Sequence, residues 1–137
     1  MVVYLNIDQP FFMAESSGKY VLQCRDKFGS LVVFERSNYE KHKNKHRELD
    51  NPSFCPKRII QALQEPTFTI KSKIEHTLCY YYEEYSNNGI MIYTKVIVFE
   101  KFRFRPSPEI CFVKTAFRID HIQELKYGLK PSYNKNL

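Results

Sequence analysis

The sequence predicts an α+β fold: an N-terminal hairpin and two helices packed on a curved antiparallel sheet of about four strands. Three observations lead there. The two helical patterns lie together between residues 37 and 66, and the β-rich runs follow them from 76 to 119. The chain also holds 11 Phe and 10 Tyr but no Trp, a composition that favours strands.

Residues 1–18 end in Glu-Ser-Ser-Gly and read as an arm with a short strand at Val2 to Asn6. Tyr20 to Cys24 and Leu31 to Phe34 are apolar runs flanking a polar turn that holds Gly29, the pattern of a hairpin. A first helix is expected from Ser37 to Arg47, opened by a Ser37-x-x-Glu40 capping box. Pro56 suits the first position of a second helix, because its missing N–H would be unsatisfied there anyway. Ile59, Ile60 and Leu63 give that helix an apolar face, and Pro66 stops it. Strands follow at His76 to Tyr85, Ile90 to Phe99 and Ile110 to Ile119, with turns at Asn87-Asn88-Gly89 and Pro106-Ser107-Pro108. A helical turn around His121 to Leu125 precedes a polar tail, 127–137, expected to pack nothing.

The 137 residues suit a single domain, placed at 19–126, with no repeat and no linker. Lys and Arg outnumber Asp and Glu by 21 to 15, which suits a polyanionic partner without proving one. Cys24, Cys55, Cys79 and Cys111 are far apart with no C-x-x-C pair, so they read as reduced packing residues. The first residues, Met-Val-Val-Tyr-Leu-Asn-Ile-Asp, lack a basic start and a long apolar stretch, so no secretory leader is expected. No run approaches the 18 or so apolar residues of a spanning helix. A cytoplasmic setting without a membrane partner is the default.

The segment from Ser37 to Arg47 carries the chemistry. His42 and His46 stand one helical turn apart, below Tyr39, among Lys41, Lys43, Lys45 and Arg47. Two imidazoles titrate near neutrality, and cations beside them favour the neutral, proton-accepting form. RNA cleavage by 2′-hydroxyl attack needs a base, an acid and cations for the phosphorane charge, with no metal required. His42 and His46 suit base and acid in either order; equally, one packs beneath Tyr39 and the other is merely exposed. The spacing also matches zinc proteases, but Lys43 stands where their glutamate would sit and no third ligand follows on that helix. No metal and no cofactor is expected.

Several short motifs recur in a familiar order: Tyr39-x-x-His42-x-x-x-His46-x-Glu48-Leu49, Ala62-Leu63-Gln64-Glu65-Pro66, Cys79-Tyr80-Tyr81-Tyr82 and Val113-Lys114-Thr115-Ala116-Phe117. This order resembles the phage and mobile-element nucleases grouped with barnase, EndoU, colicin-type tRNases and RelE. Their usual form is roughly W-x-x-H-I-x-x-R-H-P-E-L, A-L-E-N-P, Y-Y and V-V-T-A-Y, and the likeness runs from about residue 20 to 120. It implies a metal-independent ribonuclease, a toxin or phage effector acting on RNA such as tRNA or mRNA, with a cognate antitoxin or immunity protein as a possible partner. Departures include Tyr39 for Trp, Arg47 where a proline would fix the turn, an insertion at Asp50 to Cys55, and a longer basic segment from Lys101 to Glu109.

The resemblance makes Thr115 a candidate donor to the scissile phosphate; a core threonine is the alternative. Strict alternation puts Thr115 in the row of Cys111, Val113 and Phe117, with Lys114 and Arg118 on the opposite face, so Lys114 and Thr115 meet one phosphate only through a bulge or twist. Glu48 is a candidate base or histidine-orienting group, or else a solvated carboxylate. Lys45 and Arg47 are candidate phosphate ligands, as are Lys114 and Arg118 if nucleic acid lies across their face; otherwise those two are ordinary surface cations. Tyr80 and Tyr82 share a face and suit base stacking or core packing. Lys101, Arg103 and Arg105 alternate with Phe102 and Phe104, forming either an RNA-tracking ribbon or a charged edge strand. The rival functions are a non-catalytic RNA- or protein-binding module on the same fold and a DNA-binding accessory factor.

Overall fold

The structure, a computed structural model, describes residues 11–12, 18–72, 76–99, 110–122 and 130–136. Its strands are β1 (Phe11–Phe12), β2 (Tyr20–Arg25), β3 (Leu31–Glu35), β4 (Phe68–Ser72), β5 (Thr77–Tyr85), β6 (Met91–Phe99), β7 (Ile110–Ile119) and β8 (Tyr133–Asn134). Two helices, α1 (Arg36–Lys43) and α2 (Lys57–Gln64), and a 3-10 turn at Arg47–Asp50 lie between β3 and β4. All eight strands form one sheet in the order β1-β2-β3-β7-β6-β5-β4-β8.

That arrangement corrects the expected four-stranded antiparallel sheet. The hairpin does not pack on the sheet; it belongs to it. Leu31, Val32 and Val33 pair in parallel with Ile110, Cys111 and Phe112, so the sheet is mixed. A parallel pair needs a long crossover, and everything from α1 to β6 serves as that connection. The physical reason lies in β2 and β3, whose central residues are buried on both faces and therefore need neighbours beyond each other. Strand β4 follows Pro66 directly and adds the rung that pairs Phe68 with Tyr81. The polar tail also joins: Tyr133 and Asn134 pair with β4, and Ser132 N–H donates to Thr69 O at 2.8 Å.

The expected hairpin and its turn are where the sequence places them, and α2 begins at Lys57, one residue after the Pro56 expected to open it. Gly29 has φ +86, a left-handed conformation that glycine adopts without strain, and the Asp26 carboxylate accepts from the N–H groups of Phe28 (2.9 Å) and Ser30 (2.8 Å). Helix α2 buries Ile59, Ala62 and Leu63 against the sheet. The first helix differs. It begins at Arg36 with no side-chain cap, so the Ser37–Glu40 capping box does not form. The first amide of the helix is instead tied to the sheet: Arg36 N–H donates to Lys19 O at 2.8 Å as the chain leaves β3. Helix α1 ends at Lys43 rather than Arg47, and the 3-10 turn then carries Leu49 into the core.

Two apolar clusters sit on opposite faces of the sheet. The larger lies under the helices and includes Phe34, Tyr39, Phe54, Leu63, Tyr80 and Val96. The smaller joins Phe68, Ile70, Tyr81 and Ile122. Cys24, Cys55, Cys79 and Cys111 are all buried and reduced. Burial pushes the thiols of Cys24 and Cys55 up to about 12. The expected strand at Val2 to Asn6 and the turn at Pro106 to Pro108 lie outside the described residues, as does most of the turn after His121. Among the described residues no helix is long and apolar enough to cross a membrane.

Candidate active site

β3 pairs with β7 only as far as Phe112. Beyond it, α1 and the 3-10 turn run along the open edge of β7 and occupy its hydrogen-bonding groups. Asn38 Nδ2 donates to the carbonyls of Val113 and Lys114, both at 2.8 Å. Ten residues later, Glu48 Oε2 accepts from Arg118 N–H at 3.2 Å. Between these two clamps stand His42 and His46.

The helical spacing of the histidines survives the early end of α1, because His46 N–H still donates to His42 O at 2.8 Å. Their rings are nearly parallel, 6.5 Å apart between centroids and inclined by 10°. His46 continues the stack onto Phe117, at 4.6 Å and 20°. Tyr39 points the other way, into the core: its ring meets Phe34 edge-on and its hydroxyl donates to Leu49 O at 3.3 Å. Burial, with the nearby Cys55 and Asp50, raises its phenol to about 12.

Partial burial is the first cause holding His42 below the ordinary imidazole value, with the charges of Lys41, His46, Lys45 and Lys114 adding to it. The surrounding cations therefore act in the direction the sequence suggests, but burial leads. Lys114 enters this set through a β-bulge. Val98 pairs with Val113 and Ile97 with Thr115, which leaves Lys114 without a cross-strand partner.

The bulge corrects the expected face assignments. Val113 and Ala116 both pack in the helix-side core, although they are three residues apart. Thr115 pairs with Ile97 and Phe117 with Lys95, on the opposite face. Lys114 leans over the Phe99 ring at 5.8 Å, whereas the Arg118 guanidinium lies 5.2 Å from the Phe54 ring on the helix side. Lys114 and Arg118 thus do not share a face, and Thr115 does not share one with Val113. Thr115 is 6% exposed, and its buried hydroxyl has no hydrogen-bond partner.

The structure brings together His42, His46 and Lys114, with Lys45 and Arg47 exposed beside them. Glu48 anchors the 3-10 turn to β7 through Arg118 N–H. Tyr80 is corrected: its ring is 1% exposed and its hydroxyl donates to Asp26, so it has no face free for a base. Tyr82 shares Tyr80's face and carries the Arg58 guanidinium at 6.0 Å. Lys101, Arg103 and Arg105 lie outside the described residues. Among the described residues no group of three His, Cys, Asp or Glu converges to hold a metal ion.

Two residues matter here that the sequence did not single out. Lys95 lies across from Phe117, its amine 5.8 Å from that ring and 5.4 Å from the Tyr81 ring. A lone cation in the β-branched run of β6 was its only signal. Asn38, the clamp on the β7 edge, had none. Asn38→Ala is expected to lower stability by about 1–2 kcal/mol, since two carbonyl partners are lost together. Urea unfolding checks this, and an unchanged midpoint would mean that the clamp carries no weight.

Comparison with models of protein families, with curated proteins and with solved structures finds no match.

Proposed function

We propose that the protein is a metal-independent endoribonuclease of the barnase–EndoU–colicin–RelE type, a cytoplasmic toxin or phage-derived effector. The observation that carries this reading is the pair of parallel imidazoles at the β7 edge, with the charge of Lys114 acting on His42. His42, kept neutral by burial and neighbouring cations, is suited to take the 2′-hydroxyl proton. His46 is then the acid for the leaving 5′-oxygen. Lys114, Lys45 and Arg47 supply positive charge for the phosphate, and the unpartnered Thr115 hydroxyl is a donor in reserve.

A second reading has an observation of its own. The close stack of His46 on Phe117 is also what a packing histidine would make, and it suits a non-catalytic RNA- or protein-binding module. Incubation with labelled RNA, with and without EDTA, separates the two. The nuclease is expected to cut in both conditions. Intact RNA that is nonetheless bound, in a salt-sensitive way, supports the binding module, and selectivity for DNA supports an accessory factor. Growth arrest on expression, relieved by His46→Ala, is the expected cellular counterpart of a toxin.

A further inference from the structure

A second site lies elsewhere on the sheet. Helix α2 ends at Gln64 against the hairpin turn, where Lys27 N–H donates to Leu63 O at 2.9 Å. Between that turn and β4 is a cavity of about 510 Å³. This is the size of a small-molecule pocket, within the usual range of roughly 300–1,000 Å³. Its β7 boundary is Cys111, six positions before Phe117, or about 20 Å along an extended strand. The cavity thus lies apart from the two histidines, although Phe99 in its lining carries the Lys114 amine at 5.8 Å.

Both walls are fixed without a ligand. On one side Asp26 holds the turn through the amides of Phe28 and Ser30 and ties it to β5 through the Tyr80 hydroxyl. On the other, Thr69 and Ser132 bond to each other through their hydroxyls at 2.8 Å and through Ser132 N–H to Thr69 O. A cavity held open this way loses little freedom when it fills.

The lining defines the ligand. Leu78, Val98 and Cys111 give an apolar floor, which disfavours sugars and hydrated ions. The Phe28 ring stands at the rim, 52% exposed, 6.5 Å from Tyr80 and 5.9 Å from Tyr133. Aromatic exposure of that degree is scarce here; Tyr85 and Ile90 are the other large apolar side chains so exposed among the described residues. Two charged groups line the cavity, Asp26 and Lys71. Both Asp26 oxygens already accept hydrogen bonds. Lys71 pairs across the strands with Leu78, so its exposed amine rises beside the apolar floor.

We propose that this cavity binds a small planar aromatic anion, its ring over the apolar floor beside Phe28 and its acid group on Lys71. The test uses the full chain and two fluorescent probes of similar shape, the anion anilinonaphthalene sulfonate and the uncharged N-phenylnaphthylamine. Saturable binding of the sulfonate at one site per folded chain is expected. Lys71→Met should weaken the sulfonate about threefold, the scale of one exposed charge, and leave the neutral probe unchanged. Phe28→Ala should weaken both about fivefold, as loss of one ring contact does. Ser30→Trp, which fills the mouth from the rim, should abolish both. Phe28 and Lys71 are exposed and Ser30 is half-buried, so a thermal melt of each variant accompanies the titrations, and only variants that melt like the parent are compared. The proposal is overturned if the folded protein shows no saturable binding, or if Ser30→Trp binds as well as the parent. Equal loss of both probes in Lys71→Met overturns the anionic part.

Discussion

Replacing His46 with alanine is expected to cut RNA cleavage by about 10²–10⁴-fold, the usual weight of a general acid or base. The same change also removes the ring that stacks on Phe117 at 4.6 Å, so activity alone does not separate chemistry from packing. His46→Phe does. It keeps a flat ring over Phe117 and removes both ring nitrogens. If His46 is the acid, His46→Phe matches the parent in thermal melting and matches His46→Ala in cleavage. Full cleavage by His46→Phe would sink the catalytic reading and leave a packing histidine.

The partner assignment makes a prediction in pH. His42 titrates below the ordinary value of 6.5, chiefly through partial burial. A base held neutral in this way works into mildly acidic solution, so the acid limb of kcat/KM is expected below pH 6.5. Lys41→Gln removes the cation with the largest effect on it, and should move the limb upward. Stability follows the same sign. The folded state binds the His42 proton less readily than the unfolded chain, so the contribution is intact above pH 6.5. It is lost as pH falls through the lowered value. A limb above 6.5, unmoved by Lys41→Gln, would assign the base to another group.

What the sequence made legible was local. The hairpin of β2 and β3 was marked by two apolar runs around a glycine turn, and α2 by Ile59, Leu63 and the prolines at its ends. The one-turn spacing of His42 and His46 was legible too, because it follows from helix period alone. The misses share a different cause. Parallel pairing of Leu31–Val33 with Ile110–Phe112 joins segments far apart in the chain, and no local pattern encodes which strand β3 will meet. The capping box failed because a strand leads straight into α1, so Ser37 lies inside the helix rather than at its cap. The bulge at Lys114 had the widest effect. One extra residue reverses the faces of everything after it, so strict alternation misplaced Thr115 and paired Lys114 with Arg118. The same bulge removes the geometric conflict between Lys114 and Thr115 that alternation creates.

Asp26→Ala is expected to be the most destabilising single change outside the apolar core. Asp26 is only 7% exposed, yet its charge is matched by three donors: the amides of Phe28 and Ser30 and the hydroxyl of Tyr80. Alanine leaves all three without their acceptor. Tyr80 suffers most, because its hydroxyl is buried and solvent does not replace the lost partner; burial and this hydrogen bond already raise its phenol far above the ordinary value. Hydrogen bonds to a charged group contribute about 1.5–3 kcal/mol each, so a loss of about 3–5 kcal/mol is expected even after the turn relaxes toward water. Tyr80→Phe should cost less, about 2 kcal/mol, since one oxygen of the carboxylate loses its donor while the turn amides keep theirs. Because the two residues share a bond, the double variant should cost less than the sum of the single ones. Urea unfolding of the three variants measures this directly. Strict additivity, or a loss under about 1 kcal/mol for Asp26→Ala, would mean that the turn is not held to β5 by this carboxylate.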